Sequence, residues 1–333
     1  MRSVLLWVLW VWVVGFHLTG CAGEKEYYEE RGSIFHTVYS IKYEGERSLR
    51  EEIDSTFAVL NSSFNPFLPS SCISRINRNE TEVADSHLWH ILWRSETISR
   101  LSEGMFDITS APLINLWGFG YAEHARVTRE SIDSILKFVG YEKLHLSTGG
   151  RIRKSDPRIE LNCSAIAKGY AADVIGSLLR SEGVENYMVE IGGEIAVAGV
   201  NGNQEAWRIG IRKPSEDMGE QGIEEVFEVS ECCGIATSGD YLNYYRRGGK
   251  KVGHTINPKT GYPAGSDILS ATVLASDALT ADALATTFNA LGLSKSLVLA
   301  EKLVAESETV MGYFFIYADS SGVHRSCRGG FLR

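Results

Sequence analysis

Two adjacent glycines, Gly192 and Gly193, place the tightest constraint on how this chain can fold. They separate two apolar runs with strand character, residues 187–191 and 194–200. A Gly-Gly link between two strands is typical of a tight β-hairpin, because glycine accepts the positive φ angles that such a turn requires. The sequence therefore predicts antiparallel strand pairing in the middle of the chain.

The other strand-like and helix-like segments follow one another irregularly, as in an α+β protein. Alternating or continuous apolar residues predict strands over residues 36–43, 207–211, 268–275 and 309–317. Apolar residues at helical spacing predict helices over residues 49–60, 87–101, 165–179, 279–291 and 295–304. The sequence contains neither G-x-G-x-x-G after a strand nor a P-loop, so a doubly wound nucleotide-binding sheet is not predicted.

The first twenty residues have the character of an export signal. Arg2 is followed by an apolar run over residues 4–16 that contains no acidic side chain. The run is too short to span a membrane comfortably. We therefore expect residues 1–20 to be a signal peptide that takes no part in the fold.

The run ends in Leu18-Thr19-Gly20-Cys21, which resembles the lipobox of bacterial lipoproteins. Cys21 would then be lipidated and become the new N-terminus, followed by a charged tether over residues 21–33 and a folded domain over residues 34–333. This predicts a protein of the bacterial envelope, lipid-anchored to a membrane and facing the periplasm or the cell exterior. The alternative is an ordinary cleaved signal with an incidental cysteine.

The charge balance excludes one class of function. The chain has 33 basic and 42 acidic residues, a formal net charge of −9. A nonspecific nucleic-acid binder neutralises phosphates with an excess of basic side chains, so no nucleic-acid partner is predicted. Any polyanionic ligand would need a local device such as a metal ion.

Asp282 and Thr286 are the most informative pair of polar residues. They lie four positions apart in a predicted helix and therefore share a face. A carboxylate and a hydroxyl are hard oxygen ligands that suit Mg²⁺, which takes its remaining ligands from phosphates and water. The alternative is helix capping by Asp277 or Asp282, with a threonine that bonds back to its own helix.

A second segment, residues 161–173, combines small residues with Lys168 at the predicted start of a helix. Small side chains allow the backbone to approach a ligand closely, and a helix N-terminus with a lysine favours an anion. The alternative is a tightly packed helix start with a solvated lysine.

A third region is rich in turn-forming residues and contains His254, just before the loop Asn257-Pro258-Lys259-Thr260-Gly261. Histidine titrates in a range suited to proton transfer at neutral pH. A purely structural role for His254 is the alternative.

Taken together, these segments resemble the ApbE family of FAD:protein FMN transferases. The matches run in family order over nearly all of the mature chain. They are residues 64–77 ending in Ser74-Arg75-Ile76-Asn77, Gly104-Met105-Phe106-Asp107-Ile108-Thr109, residues 164–173 (A-K-G-Y-x-x-D), 186–194 (G-G-[DE]), 237–241 (T-S-G-D-Y), 254–263 (H-x-I-[DN]-P-x-T-G-x-P) and 281–286 (A-D-A-x-A-T). Asn162 and Asn257 stand where Asp is usual, and Cys72 replaces a common Glu.

The resemblance implies a set of site residues. Mg²⁺ would be held by Asp282, Thr286 and the backbone carbonyl of Ala165, and His254 would be the catalytic base. The implied contacts to the flavin cofactor are Asn65, Phe67, Met105, Phe106, Asp107, Asn162, Lys168, Thr237, Ser238, Gly239, Asp240 and Ile256. Phe64 and Phe67 compete for the position that stacks on the flavin ring.

The resemblance also implies a fold and an activity. The fold would be a single α+β unit of mixed, largely antiparallel sheets with helices packed outside. The reaction would transfer FMN from FAD to a Thr or Ser of an exported acceptor protein, such as a subunit of a membrane redox complex, with release of AMP. Two alternatives remain, namely a periplasmic Mg²⁺-dependent FAD pyrophosphatase that yields FMN and AMP, and a non-enzymatic flavin-binding lipoprotein.

Overall fold

The computed structural model describes residues 25–121, 126–215, 222–239, 244–247 and 249–331. Its strands are β1 (Glu26–Ile34), β2 (Thr37–Gly45), β3 (Leu144–Ser147), β4 (Arg151–Lys154), β5 (Tyr187–Ile191), β6 (Glu194–Ala198), β7 (Trp207–Arg212), β8 (Ile223–Val229), β9 (Cys233–Ser238), β10 (Tyr244–Arg247), β11 (Lys250–Gly253), β12 (Ile268–Ala275), β13 (Val310–Asp319) and β14 (Gly322–Gly329). Its helices are α1 (Arg50–Phe64), α2 (Cys72–Asn77), α3 (Ser86–Leu101), α4 (Ala111–Leu116), α5 (Arg129–Leu136), α6 (Ala167–Ser181), α7 (Ala278–Leu291) and α8 (Leu293–Glu306), with a short 3₁₀ turn at Tyr141–Lys143.

The main sheet has the strand order β1-β2-β5-β6-β9-β12-β13-β14. Neighbouring strands pair antiparallel at each described position in it. The α+β prediction is confirmed, and so are the strands and helices predicted from apolar spacing. Gly192 and Gly193 join β5 to β6 with φ angles of 67° and 108°, which confirms the predicted hairpin.

The main sheet separates two hydrophobic cores. One face packs against α6 and α7, and Ala196, Ala236 and Val273 point into that core. The hairpin β7–β8 covers the other face, where Trp207 and Phe227 are buried. The described helices α6 and α7 thus cover the first of these two faces of the sheet, which we call the helix face. Because side chains alternate along a strand, this division tells on which face each functional residue lies.

The tether predicted over residues 21–33 is wrong for most of its length. Residues 26–34 form the edge strand β1, which pairs along its whole length with β2. Charged side chains dominate this segment. Half-buried Tyr28, Glu30 and Gly32 alternate with exposed Glu29 and Arg31 along this edge strand. An edge strand tolerates such charges because only part of its surface is covered. Residues 1–24, with Cys21, lie outside the described residues.

Helix α7 is the most deeply buried helix of those described, since 12 of its 14 residues are buried. Its alanines allow it to lie close against β9 and β12. A Cβ atom added to Gly234 of β9 would lie 2.0 Å from the backbone nitrogen of Ala278. In the described part of the chain, no helix is long and apolar enough to cross a membrane.

Candidate active site

The site begins where the N-terminus of α6 meets α7. The backbone N–H of Gly169 donates to Oδ2 of Asp282 at 3.0 Å. A Cβ atom on Gly169 would lie 2.2 Å from the carbonyl oxygen of Ala278, so only glycine allows this approach. Asp277, not Asp282, caps α7 by accepting from the Thr280 N–H. Asp277 therefore caps its own helix, as the capping alternative predicts, whereas Asp282 accepts from the first turn of α6.

Lys168 lies in the same corner and forms an ion pair with Glu194, at 2.5 Å between Nζ and Oε1. The hairpin turn covers its aliphatic chain, since a Cβ on Gly192 would lie 3.3 Å from Cδ of Lys168. Only 28% of the Lys168 side-chain surface and 5% of that of Glu194 are exposed. The solvated-lysine alternative is wrong. Sequence reasoning missed Glu194, although the Gly-Gly-Glu hairpin pointed to it.

Three charges meet here with little solvent. Burial raises the pKa of Asp282 and Glu194, and the Lys168 ammonium opposes this effect at both carboxyls. Burial lowers the pKa of Lys168, but Glu194 and Asp282 together raise it by more, so that it ends above its usual value. The raised pKa values favour the neutral form of both carboxyls, so a cation that binds here would take the place of a proton.

The donor chemistry fits a hard divalent cation. Thr286 lies one helical turn beyond Asp282 and is half-buried, and Ala165 lies in the loop that leads into α6. Within the described ranges, no group of three or more His, Cys, Asp or Glu side chains is arranged to hold a metal. A site with one carboxylate and few other protein oxygens suits Mg²⁺, which completes its shell with phosphates and water.

The C-terminal end of β9 reaches about as far along the axis of α7 as Thr286 does. Helix α7 returns from β12 after two residues and so runs parallel to β9, whose Gly234 faces Ala278. From Gly234 to Ser238 the strand advances about 13 Å. From Ala278 to Thr286 the helix advances about 12 Å. Ser238 lies on the helix face by alternation from Ala236.

Thr237 is turned away from this corner. Its hydroxyl bonds to that of Thr272 at 2.8 Å on the opposite face of the sheet, where Ile235 and Leu274 are buried. Gly239 follows directly after β9, and Asp240 lies outside the described residues. The T-S-G-D-Y segment therefore places Ser238, but not Thr237, on the side of α7.

Of the two competing phenylalanines, only Phe67 is available to a ligand. Phe64 is 2% exposed in the core, whereas Phe67 is 54% exposed. The Phe67 ring contacts that of His36, with 4.6 Å between centroids, and faces Tyr121 at 6.2 Å. The Asn65 side chain accepts from the Phe67 N–H at 2.9 Å and so fixes this loop.

The segment containing Met105, Phe106 and Asp107 is held from within. Met105 and Phe106 are buried. The Asp107 carboxylate accepts from Thr109 at 2.8 and 2.6 Å and from the Tyr141 N–H at 2.8 Å. Burial raises the pKa of Asp107 to about 6, against the lowering effect of these donors. Asp107 thus organises its own loop, and its contact with flavin stays a prediction.

Asn162 connects that loop to the start of α6. Its N–H donates to the carbonyl oxygen of Ile108 at 2.8 Å. Its side-chain oxygen accepts from the Ser164 N–H at 2.7 Å. An amide oxygen can accept this bond as a carboxylate would, so the replacement of the usual Asp removes charge and keeps the turn.

The loop after His254 is built by the same kind of turn chemistry. The Asn257 side-chain oxygen accepts from the N–H groups of Lys259 and Thr260, and Gly261 adopts a φ of 74°. Ile256 is 8% exposed in a small apolar cluster with Leu113 and Trp117, which form one wall beside the loop.

His254 is half-buried, and the Phe119 ring meets its imidazole edge-on at 6.3 Å. The next residue, Thr255, accepts a hydrogen bond from the side chain of Asn289 at 3.1 Å. Asn289 lies seven residues after Asp282 and three after Thr286, and so belongs to the same face of α7. This bond, which sequence reasoning missed, ties the histidine loop to the helix that carries the candidate metal ligands.

The structure therefore gathers Lys168, Asp282, Thr286 and Ser238 on the helix face, with His254 connected through Asn289. An ammonium at a helix N-terminus beside a buried carboxylate and a hydroxyl is chemistry that suits a phosphate-bearing ligand. Phe67, beyond this corner, offers an exposed ring to a planar group.

Comparison with known proteins agrees with this class. A sequence model described as the ApbE family matches residues 35–311, and the chain belongs to this family. It is 35% identical over 295 residues to an FAD:protein FMN transferase of Vibrio cholerae, which covers 85% of this chain and 87% of that protein. A protein of the same name from Haemophilus influenzae is 33% identical over 326 residues, covering 93% and 92%.

The fold is similar to a solved structure titled Flavin Transferase ApbE from Vibrio cholerae. The two share a TM-score of 0.82 and 32% sequence identity, over 92% of this chain and 99% of that one. The family resemblance seen in the sequence is thereby confirmed.

Proposed function

We propose that this protein is a Mg²⁺-dependent FAD:protein FMN transferase that modifies a Thr or Ser of an exported acceptor protein. The acceptor oxygen forms a bond to the FMN-side phosphorus of FAD, and the bond from that phosphorus to the bridging oxygen breaks. FMN then remains on the acceptor as a phosphoester, and AMP leaves. The names of the relatives support this reaction. The observation that carries it is the buried cluster of Lys168, Glu194 and Asp282 at the N-terminus of α6.

The pyrophosphate end of the ligand would lie at this cluster. Helix N-termini attract anions through their free N–H groups and the helix dipole. Lys168 adds a full positive charge that the surrounding carboxylates keep protonated. These groups orient the pyrophosphate and keep its FMN-side phosphorus accessible to an incoming hydroxyl.

Asp282, Thr286 and the carbonyl oxygen of Ala165 would hold the Mg²⁺ ion. When bound, this ion neutralises charge that develops on the phosphoryl oxygens, an effect worth several kcal/mol in comparable sites. The buried Asp282 carboxyl, with the half-buried Thr286 one helical turn away, supports a hard cation at this position.

The flavin end would extend toward the exposed ring of Phe67. A stacked aromatic pair favours a planar ligand by roughly 0.5–1.5 kcal/mol beyond its buried area. Asn65 holds the Phe67 loop in place.

His254 would take the proton of the acceptor hydroxyl as the new bond to phosphorus forms. Its half-buried position after β11 and the bond between the neighbouring Thr255 and Asn289 of α7 support this role. The imidazole then passes the proton to solvent, so that no further group is consumed in the cycle.

Incubation of the purified protein with FAD and Mg²⁺, with and without a Thr-containing acceptor peptide, tests the proposal. We expect release of AMP to depend on the acceptor and to match the FMN that mass spectrometry finds on the peptide. Formation of free FMN and AMP without acceptor would instead identify the pyrophosphatase. Tight FAD binding without any AMP would identify a flavin-binding lipoprotein.

We also propose that Cys21 carries a lipid that anchors the protein to a membrane of the bacterial envelope. Strand β1 begins at Glu26, so the five intervening steps of chain span at most about 18 Å. The catalytic domain would then work close to the bilayer, where subunits of membrane redox complexes are suitable acceptors.

A further inference from the structure

Lys168 has two acidic neighbours but pairs with one of them. Its ammonium contacts Glu194 at 2.5 Å, and among the described residues it makes no ion pair with Asp282. Asp282 accepts instead from the backbone N–H of Gly169 at 3.0 Å. Gly169 directly follows Lys168, so the Asp282 carboxylate lies beside the backbone that carries the lysine. The ammonium is therefore held to one side of Asp282.

Glu194 is unusually placed for a surface hairpin residue. It is 3% exposed, and its Oε2 atom has no hydrogen-bond partner among the described residues. Burying a carboxylate is costly unless it is paired and hydrogen-bonded, and here Lys168 is its ion-pair partner. Its position is fixed by the backbone, because it is the first residue of β6 directly after the Gly192–Gly193 turn.

We propose that Glu194 is a positioning residue that holds the Lys168 ammonium away from Asp282 and so keeps the Asp282 carboxylate available to a divalent cation. This inference rests on the proposed metal site at Asp282. Lysine is a compact charge on a flexible four-carbon chain, and it can move to whichever carboxylate is nearest. Without the charge of Glu194, Asp282 is the remaining anionic partner, and the ammonium competes with the metal ion for it.

Binding of Mn²⁺ to the protein without FAD tests this, with free Mn²⁺ followed by electron paramagnetic resonance. We expect Glu194→Gln to weaken Mn²⁺ binding about 10- to 100-fold, the usual range for coupling between two sites. Glu194→Asp, which keeps the charge, should recover part of the affinity. Glu190→Gln is the matched control, because Glu190 lies on the same hairpin but on the opposite face of the sheet.

The double variant Glu194→Gln/Lys168→Met distinguishes positioning from a general structural role. Removal of the competing ammonium should restore Mn²⁺ affinity to within a few-fold of the native protein. If Glu194→Gln does not fold, Lys168→Met alone supplies the test, and it should bind Mn²⁺ more tightly than the native protein does.

Native Mn²⁺ affinity in folded Glu194→Gln, or a double variant as weak as the single one, would overturn the inference. A Lys168→Met variant that binds Mn²⁺ more weakly would do the same. Failure of the underlying metal site is visible separately, since Asp282→Ala would then bind Mn²⁺ like the native protein.

Discussion

Replacing Gly169 with alanine adds one methyl group at the closest approach between α6 and α7. The new Cβ would lie 2.2 Å from the carbonyl oxygen of Ala278 and 2.8 Å from Cβ of Asp282. Ordinary carbon–oxygen contacts are near 3.3 Å, so the helices must separate by about 1 Å. Overpacking of this kind costs about 1–3 kcal/mol. Alanine itself favours a helix by about 0.5–1 kcal/mol, so the net loss of stability is the cost of the clash minus this gain.

We expect Gly169→Ala to lower the free energy of unfolding by about 1 kcal/mol and Tm by about 2 °C. The separation also displaces Asp282 from Lys168, and a 1 Å misplacement in an active site can cost about 100-fold in rate. Calorimetry and the rate of AMP release from FAD measure these effects. The control is Gly176→Ala on the same helix, whose Cβ would come no closer than 3.1 Å to its nearest neighbour, the Tyr187 side chain. Native stability and rate in Gly169→Ala would refute the argument.

Three further predictions concern the chemistry and the anchor. Asp282→Ala should abolish Mg²⁺-dependent AMP release while the protein still folds, as a Mg²⁺ titration with a parallel melting curve would show; turnover at the native rate would contradict the ligand assignment. His254→Ala should bind FAD nearly as well as the native protein but transfer FMN roughly 10²- to 10⁴-fold more slowly, with a residual rate that rises with pH. Unchanged transfer in that variant would remove His254 from the mechanism. Cys21→Ser should leave soluble activity intact and move the protein out of the membrane fraction, whereas an acylated, membrane-bound variant would refute the lipoprotein proposal.

The elements with regular apolar spacing could be predicted from the sequence, and those without it could not. Strand β12 was predicted over the same residues, 268–275, because six of its eight side chains are apolar. Strand β1 was mistaken for a tether, because an edge strand has charges on its exposed positions and little apolar periodicity. Its order depends on pairing with β2, a contact between segments that a local pattern does not contain.

The site shows the same limit at the level of single residues. The helical spacing of Asp282 and Thr286 was enough to predict a shared face, because four residues make about one turn. The choice between Phe64 and Phe67 needed the structure. Phe64 is 2% exposed and Phe67 is 54% exposed, and this difference depends on how α1 packs. Glu194 and Asn289 were missed because their partners, Lys168 and Thr255, are distant in sequence.

The near-complete burial of α7 also determines how its backbone amides become exposed to solvent. A helix with 12 of 14 residues covered can expose its backbone amides only when the surrounding sheet opens. Its amide protons should therefore exchange with deuterium at the rate of global unfolding, while those of an edge strand such as β1 exchange by local fraying. If the proposed ligand binds at Asp282 and Thr286 on this helix, a concentration of 100 times its Kd would stabilise the whole domain by about 2.7 kcal/mol. Ligand binding here slows exchange throughout the core and not only around the ligand.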